Sequence, residues 1–149
     1  MKRIGIVGGT GYTGVELLRM LASHPEVEVS CLTSRSEAGK TVASLYPWLS
    51  HNQQLSFEEP SVDALGHCDL VFYATPNKIA MHEARDLLER GVRVIDLAAD
   101  FRFSDPAVWE SAYGGPHGAP DLIDEAVSGL PEKCRPLIAA ARLRGNPGE

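Results

Sequence analysis

The sequence predicts an α/β fold of the doubly wound kind, built on a mostly parallel sheet. Three observations carry that expectation. Short apolar runs alternate with segments of helical periodicity, turn residues separate each run from the next, and the glycines Gly8, Gly11 and Gly14 stand between the first run and the first periodic segment. A chain of 149 residues with 44% hydrophobic content is large enough to bury a substantial core, so a single domain over residues 1–149 is expected.

Taken in order, Arg3 to Val7 reads as a short buried strand that runs into the glycine turn. Val15, Leu17, Leu18, Leu21 and Ala22 then recur at helical spacing, and Pro25 stops the helix near Ser23. Val27 to Thr33 is a second strand, returning parallel to the first because a helix makes the crossover. From Ser34 to Pro60 the pattern weakens at Gly39, Pro47, Asn52 and Pro60, which predicts a loop-rich connection with at most one short strand at Leu55 to Phe57.

Asp69 to Ala74 reads as a third strand, Ile79 to Glu89 as an amphipathic helix closed by Gly91, and Val92 to Leu97 as a fourth strand. Beyond Asp100, Pro106, Gly114, Gly115, Pro116, Gly118 and Pro120 make the chain too broken for long elements, which predicts a site-forming loop. Glu132 to Ala140 is expected to be a short helix and Ala141 to Gly145 a last strand.

A formal net charge of −6, with Lys and Arg scattered, gives no general attraction to phosphate backbones or anionic membranes, so neither nucleic acid nor membrane is an expected partner. No apolar run has spanning length and the amino terminus lacks the pattern of a signal peptide, so a cytoplasmic protein is expected. Cys31, Cys68 and Cys134 are odd in number and far apart along the chain, without a C-x-x-C pair or a histidine cluster. They are expected to be free thiols rather than metal ligands or disulfide partners, and no metal site is predicted.

Chemistry concentrates at the ends of the predicted strands. In the run Gly8, Gly9, Thr10, Gly11, Tyr12, Thr13, Gly14 the glycines permit a tight turn and close approach of backbone to a pyrophosphate, while the helix start supplies free N–H groups and positive partial charge. A strand before it and an amphipathic helix after it favour a Rossmann-type dinucleotide site over an ordinary glycine turn. At the end of the second strand an acidic residue would suit the ribose hydroxyls of NAD; Thr33, Ser34, Arg35 and Ser36 stand there instead. A guanidinium flanked by hydroxyls suits a 2'-phosphate, so NADP(H) is the expected cofactor.

Ala74, Thr75 and Pro76 close the third strand and are expected to meet the nicotinamide half. Lys78 is either an anion-binding residue or a solvated lysine near a helix start. In Asp96-Leu97-Ala98-Ala99-Asp100-Phe101-Arg102 the arginine either pairs with one of the two carboxylates or clamps a phosphate or carboxylate of substrate. His117 is a candidate substrate contact, against the plainer reading of an exposed loop histidine.

The glycine run, Asp96 to Arg102, Tyr113-Gly114 with His117 and Pro120-Asp121-Leu122, Gly129-Leu130-Pro131-Glu132, and Asn146-Pro147-Gly148 resemble, in order, the signature segments of N-acetyl-gamma-glutamyl-phosphate reductases. The resemblance implies NADPH-dependent reduction of N-acetyl-glutamyl 5-phosphate to the semialdehyde with release of phosphate, in arginine biosynthesis. It also implies a homo-oligomeric parent enzyme, a cysteine nucleophile directly after Gly148, and a downstream histidine acting as acid and base in a second domain. Glu149 occupies the nucleophile position, so this chain is expected to hold no catalytic residue, to be truncated before the second domain, and to bind NADP(H) without turnover. Asn77, Lys78 and Ser128 stand where many relatives carry a glycine and a tyrosine. Two alternatives stay open: a stand-alone nucleotide-binding module, and an enzyme like aspartate-semialdehyde dehydrogenase, which shares the glycine turn but lacks the Asp96 to Arg102 pattern.

Overall fold

The computed structural model describes residues 1–49 and 54–148, and it divides into two compact units, Met1–Ala74 and Thr75–Glu149. Asn52, one of the expected interruptions, and Glu149 lie outside the described residues.

In the first unit, β1 (Lys2–Val7) is flanked by β2 (Val27–Thr33) on one side and β3 (Leu70–Tyr73) on the other, and both pairings are parallel. Helix α1 (Tyr12–Leu21) makes the crossover between β1 and β2. Its Leu18 enters a core with Ile4, Ile6, Leu32, Val42, Leu49 and Phe57, while Val15, Leu17 and Leu21 pack half-buried against that core. The expected strand–turn–helix–strand order is therefore observed, with β2 at its expected limits.

Among the described residues of this connection, two isolated bridges, Thr33 with Glu58 and Thr41 with Ser56, stand in place of the short strand expected at Leu55 to Phe57. Two single-turn helices, α2 (Val42–Leu45) and α3 (Val62–Leu65), were not expected. Each starts on a hydroxyl cap: Thr41 Oγ1 accepts from Ser44 N at 3.2 Å, and Ser61 Oγ from Ala64 N at 3.4 Å. One turn is too short to show a periodicity.

The second unit contains α4 (Ala80–Glu89), β4 (Arg93–Asp96), α5 (Pro106–Tyr113), α6 (Pro120–Ile123), β5 (Val127–Ser128), α7 (Pro131–Ala140) and β6 (Leu143–Gly145). Its strands run parallel in the order β4-β6-β5. Ala80, Ala84, Leu87 and Leu88 make the buried stripe of α4. Gly91, at φ 80°, closes that helix: its N–H donates to Leu88 O at 3.0 Å and Val92 N donates to Leu87 O at 2.9 Å, a Schellman ending.

The stretch after Asp100 corrects the expectation of a segment too broken for long elements, because α5 is eight residues long. Pro106 sits in its first turn, Asp105 caps it by accepting from Ala107 N at 2.8 Å, and Gly114 at φ 73° ends it. The residues that read as breakers are this helix's own punctuation, proline at the start and glycine past the end. Trp109 anchors α5, fully buried, with Nε1 donating to Ala99 O at 2.8 Å. In α7, Pro136 lies inside the helix and Cys134 leaves helical geometry at φ −117°, a kink of the kind proline imposes.

Candidate functional site

In the first unit the structure joins the glycine run to the end of β2. Gly8 N and Gly9 N both donate to Thr33 O, at 3.2 and 3.0 Å, so these two amides are taken by the protein itself. The amides of Tyr12, Thr13 and Gly14, in the first turn of α1, have no backbone acceptor among the described residues, and the first helical bond runs from Val15 N to Gly11 O at 2.9 Å. Orphan N–H groups at a helix start, with the positive end of the helix dipole behind them, form a ready anion site.

The glycines do different jobs. Gly8 needs its positive φ of 82°. A Cβ on Gly9 would run into Leu32 Cδ1, and one on Gly14 would run into the Gly8 carbonyl oxygen and stand 2.8 Å from Gly9 Cα. Gly11 differs: at φ −74° any residue fits, and its Cβ would meet only Gly8 O at 3.9 Å. Neither backbone angle nor crowding among the described residues requires glycine there, so beyond the mild N-cap preference for glycine over alanine, close approach by a ligand is a physical reason for it.

Around the turn runs a chain of hydroxyls. Thr10 Oγ1 lies 3.2 Å from Ser34 Oγ, which lies 3.4 Å from Ser36 Oγ and accepts from Glu37 N at 3.3 Å. Tyr46 OH donates to Thr10 O at 3.2 Å, tying α2 to the turn. Sequence reasoning missed Tyr46, for which no local motif exists. Arg35 is exposed, with no ion pair among the described residues, and Glu37 beside it is engaged by Lys40 at 2.6 Å. Tyr12 is 99% exposed, so core packing does not explain that ring. Ala74 N donates to Val7 O at 2.9 Å and ends this unit.

The second unit opens with Thr75, whose buried Oγ1 has no partner among the described residues, and the exposed Pro76. The segment Asp96 to Arg102 is held by backbone amides. Asp96 accepts from Ala98 N at 3.0 Å and Phe101 N at 3.3 Å, and Asp100 accepts from Lys78 N at 2.8 Å and Met81 N at 3.0 Å. Burial, reinforced by the Asp100 charge, pushes the Asp96 carboxyl up to about 6. Asn77 Oδ1 accepts from Ala99 N at 3.1 Å, while Lys78 is exposed at φ 73°.

Of the two readings left open for Arg102, the ion pair with Asp96 or Asp100 does not form. Its guanidinium donates to three neutral oxygens, Tyr113 OH at 2.9 Å, Ala98 O at 3.2 Å and Asn146 O at 3.3 Å. The two carboxylates are held by amides, which leaves the Arg102 charge without a carboxylate partner among the described residues. A Cβ on Gly148 would lie 2.9 Å from Arg102 Nη1, and one on Gly145 would run into the Phe101 carbonyl oxygen, so both glycines let the carboxyl end of the chain pass close to this loop.

His117 corrects the reading of an exposed loop histidine. It is buried, edge-on to Trp109 with ring centroids 4.8 Å apart. Nδ1 accepts from Ala119 N at 3.0 Å, so Nε2 carries the proton it donates to Asp100 O at 2.6 Å. Both ring nitrogens are engaged within the protein. Among the described residues no group of His, Cys, Asp and Glu is placed to hold a metal, and no helix is long and apolar enough to cross a membrane.

A family model described as "Semialdehyde dehydrogenase, NAD binding domain" matches residues 3–141. N-acetyl-gamma-glutamyl-phosphate reductases from Nitrosospira multiformis and Thiobacillus denitrificans are 59% and 58% identical over 99% of the chain, which spans 43% of the length of each. Among solved structures, aspartate semialdehyde dehydrogenase from Francisella tularensis aligns over the whole chain and 37% of its own length, with a TM-score of 0.66 at 18% identity. The Candida albicans enzyme with NADP covers 80% of the chain and 41% of its own length, with a TM-score of 0.59 at 21% identity.

Proposed function

We propose, from the premise that this chain belongs to the family of semialdehyde dehydrogenase NAD-binding domains, that it is the NADP(H)-binding part of an N-acetyl-gamma-glutamyl-phosphate reductase. The observation that carries the reading is the start of α1, where three amides without acceptors among the described residues follow a glycine that no steric contact requires. A pyrophosphate fits that donor set, because charge-assisted hydrogen bonds satisfy the orphan amides and the helix dipole adds to the attraction.

Arg35, between Ser34 and Ser36, is proposed to grip the 2'-phosphate that distinguishes NADP from NAD. Ala74, Thr75 and Pro76 are the proposed contacts of the nicotinamide half, where the orphaned Thr75 hydroxyl offers a polar atom in need of a partner. When bound, the dinucleotide supplies a hydride. The chain's own residues orient that donor and hold the substrate. Arg102, a cation with only neutral partners, is proposed to attract the anionic acyl phosphate or carboxylate of N-acetyl-glutamyl 5-phosphate. His117 is proposed to act on substrate only indirectly, through the Asp100 carbonyl that it anchors.

A fluorescence titration of the 149-residue chain with NADPH and with NADH tests the cofactor. NADPH is expected to bind more tightly, and Arg35→Ala to remove most of that preference, about ten- to a hundredfold for one charge-assisted contact of 1.5–3 kcal/mol, while leaving NADH unchanged. Equal affinity of the parent for both dinucleotides sinks the NADP assignment. The reaction is tested with a chimera in which residues 1–148 replace the matching part of the Nitrosospira multiformis relative. Phosphate-dependent oxidation of N-acetyl-glutamate 5-semialdehyde is expected, and activity on aspartate semialdehyde alone would reject that substrate in favour of an enzyme like aspartate-semialdehyde dehydrogenase. The chain by itself is expected to give no turnover.

A further inference from the structure

The first unit brings together two cysteines that are 37 positions apart. Cys31 on β2 and Cys68, two residues before β3, are both buried against the same residue of β1: Cys31 is the ladder partner of Gly5, and the Cys68 sulfur lies over Gly5. The local backbone makes room for the sulfurs. The β1–β2 register shifts between Ile4 and Gly5, leaving Ser30 as the extra residue and setting Cys31 opposite Gly5. A Cβ on Gly5 would stand 3.1 Å from Cys68 Sγ, so a glycine at this strand position leaves room for that sulfur. Ser30 is exposed and its Oγ lies 3.6 Å from Cys68 Sγ, which places the pair one side chain below the surface.

We propose that Cys31 and Cys68 are a peroxide-reactive dithiol that closes to a disulfide linking β2 to the turn before β3. Cys68 is the attacking sulfur. The Cys31 thiol, with support from the Ser30 hydroxyl and the Arg3 guanidinium, lowers its pKa against burial and the nearby Asp69 charge, whereas Cys31 is held protonated. The Cys68 thiolate attacks one oxygen of hydrogen peroxide and the O–O bond breaks. The departing hydroxide takes up a proton as water, leaving a sulfenic acid. Cys31 sulfur then attacks Cys68 sulfur, the S–O bond breaks, and the hydroxyl leaves with the Cys31 proton as a second water. Two thiols are oxidised, one peroxide is reduced to two waters, and a dithiol reductant reverses the bond.

The test uses the whole chain, freed of reductant and treated with about one equivalent of hydrogen peroxide. Titratable thiols in denaturant are expected to fall from three to one, with a monomeric mass lower by two hydrogens and a Cys31–Cys68 linked peptide after digestion. Dithiothreitol restores all three. In Cys134→Ser, which keeps the pair intact, the count is expected to fall from two to none. Retention of all thiols, oxygen adducts without the linked peptide, or a bond that involves Cys134 would each overturn the proposal. Cys31→Ser supplies the mechanistic check: its Cys68 is expected to stop at the sulfenic acid and be trapped by dimedone, and an unreactive Cys68 in a folded variant counts against its role as attacker.

Discussion

Replacing Gly11 and Gly14 separately by alanine distinguishes a glycine needed for the fold from one needed for a ligand. In Gly14→Ala the new methyl runs into the Gly8 carbonyl and stands 2.8 Å from Gly9 Cα, both backbone atoms, so α1 has to shift. Overpacking of that kind costs about 1–3 kcal/mol. In Gly11→Ala the backbone, at φ −74° and ψ 167°, already suits alanine and the methyl meets nothing closer than 3.9 Å. Reduced freedom of the unfolded chain stabilises by about 0.4–1 kcal/mol, and alanine's poorer performance as an N-cap offsets it by about the same amount. Stability should therefore stay within about 1 kcal/mol of the parent. Binding is another matter, because the methyl occupies the approach to three open amides. Loss of one or two charge-assisted contacts, about 1.5–3 kcal/mol each, weakens NADPH at least tenfold. Calorimetric titration with NADPH and urea melts on the same samples read both quantities. Gly11→Ala binding within twofold of the parent would refute the claim that a pyrophosphate sits on this turn, and so would weakening that merely tracks a loss of folded protein.

Three further perturbations address the second unit. Asp96, raised from 3.8 to about 6, holds a proton more tightly folded than unfolded. Its contribution is therefore fully present below about pH 4 and is lost as pH rises through 6, a change of about 3 kcal/mol at 1.36 kcal/mol per pKa unit. Asp96→Asn should remove that slope, so urea-derived stabilities from pH 4 to 7 should move in the variant's favour relative to the parent, and a flat difference refutes the shift. Lys78→Gly should be more stable than Lys78→Ala by about 1 kcal/mol, since only glycine relieves the left-handed backbone at φ 73°; equal melting midpoints would show no strain there. In the chimeric enzyme, Arg102→Leu should raise the KM for the acyl phosphate at least tenfold and leave the NADPH dissociation constant unchanged. An unaltered KM would remove Arg102 from substrate binding.

Tyr46 and Arg102 show where sequence reasoning stops. Nothing near Tyr46 in the chain announces that its hydroxyl meets Thr10 O, 36 positions away. At Arg102 the sequence left open an ion pair with either carboxylate or a clamp on substrate; amides of Ala98, Phe101, Lys78 and Met81 engage the carboxylates, which leaves Arg102 with neutral partners among the described residues. His117 looked exposed because glycine and proline surround it, yet those residues fold the loop back so that Trp109 and Phe101 cover the ring.

What the sequence determined by itself was the alternation of β1, α1, β2, β3, α4 and β4 and the glycine turn that joins β1 to α1. Apolar spacing, proline and glycine act through backbone angles within a few residues, and that range is legible in a linear string. The tertiary structure alone decided which amides remain open once Thr33 O has taken two of them, which charge finds no carboxylate among the described residues, and which cysteines come to the same residue of β1. Those outcomes depend on competition between groups tens of residues apart, and only the packed chain sets the distances that decide it.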